Sequence, residues 1–107
     1  MTSDIEALAR RAVACKGWRW MPGMLHRNWR NFTRVTEEHA GYRWDGWPDL
    51  SDPATLGCLM ALVRDARGRP RAFCRYVEAN PSYWHINTGH VGEAEAEALV
   101  AALEAAP

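Results

Sequence analysis

Three cysteines (Cys15, Cys58 and Cys74) and four histidines (His26, His39, His85 and His90) are the side chains best able to bind a metal or to act as nucleophile and base. Their spacing argues against both uses. Structural zinc is held by close pairs of ligands, and the nearest approach to such a pair is the H-x4-H of His85-Ile86-Asn87-Thr88-Gly89-His90. A reactive thiol needs a polar, partly exposed setting that favours the thiolate. Cys58 instead stands inside the apolar run Leu56-Gly57-Cys58-Leu59-Met60. Ser51 and Ser82 lie in turn sequence, and the glycines are too scattered to form a phosphate-cradling loop. The chain reads as non-enzymatic, without metal or cofactor. A small thiol- or histidine-dependent enzyme using Cys58 or Cys74 with His85 stands as a third reading.

Arginine combined with tryptophan is more informative. Residues 10–43 hold eight basic side chains against Glu37 and Glu38 alone, and residues 64–75 hold five arginines against Asp65 alone. Arginine and tryptophan are the side chains that dominate binding energy at protein interfaces, and the same pair can hold single-stranded nucleic acid. The expected partner-binding residues are Arg27, Arg30, Arg34, Tyr42, Arg43, Trp44 and Trp47. The acidic helix with Glu93, Glu95, Glu97 and Glu104 offers a surface of opposite sign. Trp44 and Trp47 have two readings, as exposed contacts or as a plug folded over the central helix. Charge reversal at Arg30 and Arg34 is expected to abolish partner binding and to leave the melting temperature nearly unchanged.

The elements that must position these residues follow from local pattern. Residues 3–16 read as a helix, with Ser3 and Glu6 as a capping box and Ile5, Leu8, Ala9, Ala12 and Cys15 along one face. Residues 18–25 and 29–36 read as two strands, turned at His26-Arg27-Asn28. Residues 37–51 form the longest irregular stretch. The central helix spans about 53–66, with Asp52 as N-cap, Pro53 in the first turn and Gly68 as the stop. Leu56, Leu59, Met60 and Val63, widened by Cys58 and Leu62, predict burial on more than one side. Strands near 71–78 and 83–88, joined by Asn80-Pro81-Ser82, precede a last helix at 93–105. The order α-β-β-α-β-β-α predicts an α+β fold, a four-stranded, mainly antiparallel sheet packed against the central helix and flanking helices.

Bulk properties set the bounds. A chain of 107 residues with 48% hydrophobic residues and six tryptophans is one domain able to bury its own core. Equal numbers of basic and acidic residues, 13 each, give no global pull towards nucleic acid or anionic lipid. The three cysteines are expected as free thiols in a reducing compartment. No apolar run approaches the roughly 20 residues of a membrane span, and Met1-Thr2-Ser3-Asp4-Ile5-Glu6 lacks the basic and apolar regions of a signal peptide. Twelve arginines against the single Lys16, with abundant alanine, fit the codon usage of a GC-rich genome.

Two segments carry a resemblance. Trp18-Arg19-Trp20-Met21-Pro22-Gly23-Met24 and Pro48-Asp49-Leu50-Ser51-Asp52-Pro53-Ala54-Thr55-Leu56-Gly57-Cys58-Leu59 follow a W-x-W-x-x-G-M … P-D-L-x-D-P-A-T-x-G-x-L layout. This layout resembles a set of small proteins encoded by tailed bacteriophages and prophages of GC-rich bacteria. The similarity covers most of the chain, including an Ala/Glu/Leu-rich last helix, and brings no catalytic residue with it. It implies a phage accessory protein in the host cytoplasm that binds and occludes a macromolecular partner. That partner is a host or phage protein or a protein–nucleic acid complex, with inhibition of a bacterial defence system (anti-CRISPR-like) as the form of action. A single-stranded nucleic-acid-binding protein is the alternative, and neither reading involves a membrane.

Overall fold

The computed structural model describes residues 2–42 and 44–107, with side chains from Asp4 onward. Three helices and six short strands run in the order α1 (Thr2–Val13), β1 (Leu25–Arg27), β2 (Phe32–Arg34), β3 (Trp47–Pro48), α2 (Pro53–Arg67), β4 (Cys74–Val77), β5 (Tyr83–Ile86), β6 (Val91–Gly92) and α3 (Glu95–Glu104). The fold is α+β, as expected.

Helix α2 follows its sequence signals closely. The Asp52 carboxylate accepts from Thr55 N at 2.9 Å, which satisfies one of the unpaired donors of the first turn. Gly68 closes the helix in the left-handed region, φ 62°, with its N–H on the last carbonyls. Thr55, Leu59, Leu62 and Val63 are buried. The Thr55 hydroxyl also accepts from Leu25 N at 2.8 Å, tying α2 to β1.

Helix α1 opens at Thr2 and ends at Val13, three residues short of the expected end. The Ser3 side chain of the expected capping box lies outside the described residues. Leu8, Ala9 and Ala12 join the core. Helix α3 is buried on nearly every side through Ala96, Ala98, Leu99, Val100, Ala102 and Leu103, a far wider apolar surface than its sequence stripe promises. It runs parallel to α1. Asp4 and Glu97 line one end of the groove between them, and Arg11 grips Glu104 with two hydrogen bonds further along.

The expected four-stranded sheet does not form. Two separate three-stranded antiparallel sheets take its place, in the orders β2-β1-β3 and β4-β5-β6. Residues 18–24 alternate like a strand but run as irregular chain, with Trp18 and Trp20 packed edge to face on each other, centroids 5.4 Å apart. Gly23, at φ 99°, turns the chain there, a conformation that glycine adopts without a steric penalty. Each hairpin is completed by a two-residue strand from chain nearby in sequence: β3 on β1 and β6 on β5. The sheets share no strand and meet through the helices: β3 packs on α1, whereas β4, β5 and β6 all pack on α3.

Candidate interaction surface

The first hairpin is built on a side-chain turn. Asn28 Oδ1 accepts from the backbone N–H of Arg30 and of Asn31, both at 2.9 Å, and Asn28 N donates to Asn31 O. An asparagine that bonds backbone two and three residues on mimics a turn. The expected turn at 26–28 therefore moves to 28–31, and Trp29 and Arg30 become the tip. The register Arg27↔Phe32 follows.

Two rings stand out from this tip: Trp29 is 77% exposed and Phe32 57%. Sequence reasoning passed over both, although Asn28-x-x-Asn31 was the available signal. The Arg27 guanidinium lies over the Phe32 ring, 5.1 Å from its centroid, and Arg30 is exposed. The tip is braced from behind. Trp29 meets Trp47 edge to face at 5.3 Å, and Arg10 of α1 lies 4.7 Å from the centroid of Trp47 and 5.9 Å from that of Trp29. Each cation–π contact of this kind is worth about 0.5–1 kcal/mol at an exposed site. Among the described residues, neither Arg27 nor Arg30 forms an ion pair.

The residues named from sequence divide. Arg27 and Arg30 belong to the hairpin surface. Trp47, 5% exposed, is core, which corrects its expected place among the contacts: α1 and Trp29 cover it. Arg34 is a framework residue. Its guanidinium donates to both oxygens of Asp52, at 2.6 and 3.2 Å, and to Gly23 O at 2.9 Å. Reversing its charge would set a carboxylate against the α2 cap, so an unchanged melting temperature is not the expected result for Arg34. Arg43 lies outside the described residues.

Tyr42 and Trp44 sit on the loop 39–46. Tyr42 is exposed and meets His39 edge to face. Trp44 folds inward, its Nε1 donating to His39 O at 3.2 Å and its ring packing on Trp20 and His26. It folds back rather than standing exposed, but onto Trp20 and His26 rather than over the central helix. His26, only 3% exposed, accepts from Gly46 N through Nε2 at 2.9 Å. That bond fixes the proton on Nδ1, which has no partner. Burial pushes the imidazole below its usual value, against the weaker pull of Asp45. A side chain at Gly46 would overlap Arg27 O and the His26 ring, so only glycine lets the loop close here.

The thiols and histidines do not converge. Cys15, Cys58 and Cys74 are free and half-buried. Burial pushes all three thiols up, Cys74 to about 11. Cys74 pairs with Ile86 while His85 pairs with Arg75, so Cys74 and His85 project from opposite faces of the sheet. Among the described residues, no three of His, Cys, Asp and Glu gather as metal ligands, and no helix is long and apolar enough to cross a membrane. The groove between α1 and α3, about 320 Å³, is lined by Asp4, Leu8, Arg11, Val91 and Glu97, with Arg11 already bonded to Glu104. No protein-family model, no curated protein and no solved structure matches the chain.

Proposed function

We propose that this chain is a non-enzymatic accessory protein of tailed-phage type that covers a surface of a protein partner with the tip of its first hairpin. The observation that carries the reading is Trp29: a 77% exposed indole held in place by Trp47 and Arg10. An exposed ring braced in one position loses little freedom on binding, and flanking arginines favour an acidic rim on the partner. Phe32 enlarges the apolar centre. Arg27 and Arg30 supply the charge. The resemblance to small phage proteins makes a protein of the bacterial host, such as a component of a defence system, the partner to seek first, in the host cytoplasm.

The test compares the wild-type chain with Trp29→Ala and Arg30→Glu as baits against host lysate, followed by titration of any recovered protein in purified form. Loss of Trp29 should weaken binding by about 2 kcal/mol, roughly thirtyfold, with the melting temperature held. A partner that binds Trp29→Ala and Arg30→Glu as tightly as the wild type would remove the hairpin from the account.

A further inference from the structure

We infer that the outer face of the second sheet binds single-stranded nucleic acid, through a surface separate from the first hairpin. The register decides which side chains share that face. Cys74 stands opposite Ile86 and Tyr76 opposite Trp84. Ile86 is buried, and Cys74 and Trp84 pack against the core, so this side faces inward to α3 except at its Tyr76 end, where the ring is exposed. Side chains alternate along a strand. Arg75, Val77, Tyr83, His85 and Val91 therefore share the outer side, with Arg75 opposite His85, His85 opposite Val91 and Val77 opposite Tyr83. Phe73 continues the same row. Its N–H donates to Asn87 Oδ1 at 2.9 Å, Asn87 N donates back to Phe73 O, and its ring is exposed.

Arginine outnumbers acid here, with exposed Glu78 and Glu93 at the ends of the sheet. Arg69, Arg71 and Arg75 are exposed and form no ion pair among the described residues. The one acid of the 64–75 run, Asp65, is already paired with Arg19 at 3.1 Å. A row of rings beside free guanidinium groups fits a ligand that carries flat faces and repeated negative charge together. Single-stranded nucleic acid is that ligand: its bases stack on aromatic side chains and its phosphates meet arginine. A duplex hides its base faces. A protein partner suits one braced ring at a protruding tip, as at the first hairpin, whereas rings spaced along a flat strand beside arginines suit a chain of bases. Tyr83 and His85, both half-buried and two positions apart on β5, are about 7 Å apart along the strand, far enough for their exposed edges to meet separate bases.

The test is fluorescence anisotropy on the full chain with fluorescein-labelled oligothymidylate and oligouridylate of about 15 nucleotides, near the upper size of a site on one small domain, titrated at rising NaCl. Binding should weaken steeply with salt. Arg75→Glu should lower affinity about tenfold and reduce the salt slope by about one. Tyr83→Ala should lower it about tenfold, Tyr83→Phe should restore it, and Trp29→Ala should leave it unchanged. Should Tyr83→Ala fail to fold, Phe73→Ala on its exposed ring takes its place. Absence of binding at low salt overturns the inference. So does a loss confined to Arg75→Glu, with both ring variants binding normally, because that pattern marks a surface for any polyanion, an acidic protein included.

Discussion

Arg34 and Asp52 form a two-pronged ion pair, 2.6 and 3.2 Å, and the same carboxylate caps α2 through Thr55. One group thus fastens the edge strand β2 to the start of the central helix. Asp52→Ala should cost about 1 kcal/mol for the lost cap alone, and the release of Arg34 should add to it. Arg34→Glu should lower the melting temperature, whereas Arg30→Glu should not. Thermal melts of the three variants check the ordering.

Acid should undo this fastening in a defined window. Asp52 is lowered from 3.8 to about 2, first by the Arg34 guanidinium and then by the Thr55 donors. Glu104 is lowered by Arg11. A carboxyl whose folded pKa lies below its unfolded value stabilises the fold fully above the unfolded value, and that stability is lost as pH falls towards the folded one. Urea midpoints should therefore fall between about pH 4 and pH 2. In Arg34→Gln the drop should be shallower, because the Asp52 share is smaller.

His26 should titrate in the opposite sense to a salt-bridged histidine. Burial holds its pKa below 6.5, so the neutral ring is the folded form, and the contribution it makes is lost as pH falls below that value. Imidazole proton shifts followed against pH should place its midpoint below 6.5. A midpoint above it would mean that Asp45, 3.3 Å from Nε2, outweighs the surrounding tryptophans.

Trp29 and Trp47 touch, yet their removal should have unlike effects. Trp47→Ala opens the core beside α1 and should cost roughly 3–5 kcal/mol. Trp29→Ala removes a ring that is mostly in water and should change stability by less than about 1 kcal/mol. Denaturant unfolding of the two variants separates the framework ring from the surface ring.

The thiols should react slowly. Burial raises all three pKa values, Cys74 to about 11, and the thiolate is the reactive form. Labelling of the native chain at neutral pH should lag well behind that of the urea-unfolded chain. Rapid labelling of a single cysteine would restore the thiol-enzyme reading.

What sequence could disclose was local. Asp52, Pro53 and Gly68 mark both ends of α2 because a cap acts within one helical turn, and the structure uses them so. The α+β class and three helices were legible from the same kind of signal. Strands of two residues carry no period, so Trp47–Pro48 and Val91–Gly92 vanished into stretches that looked irregular. Trp18 and Trp20 alternate with Arg19 as a strand does, but their rings pack on each other and Trp20 packs on His26, a contact that depends on the fold. Trp47 could be placed only once Arg10, far away in sequence, was seen to lie over it. Trp29 and Phe32 at the hairpin tip were hidden by a turn that slipped two residues.

The second sheet rests chiefly on α3, which touches all three of its strands, while the first sheet is held by α1 and by Thr55. Local opening energies in such an arrangement need not be equal. Amide exchange should show two tiers: β4, β5 and β6 losing protection together whenever α3 loosens, and β1 with β2 keeping theirs until α2 itself lets go.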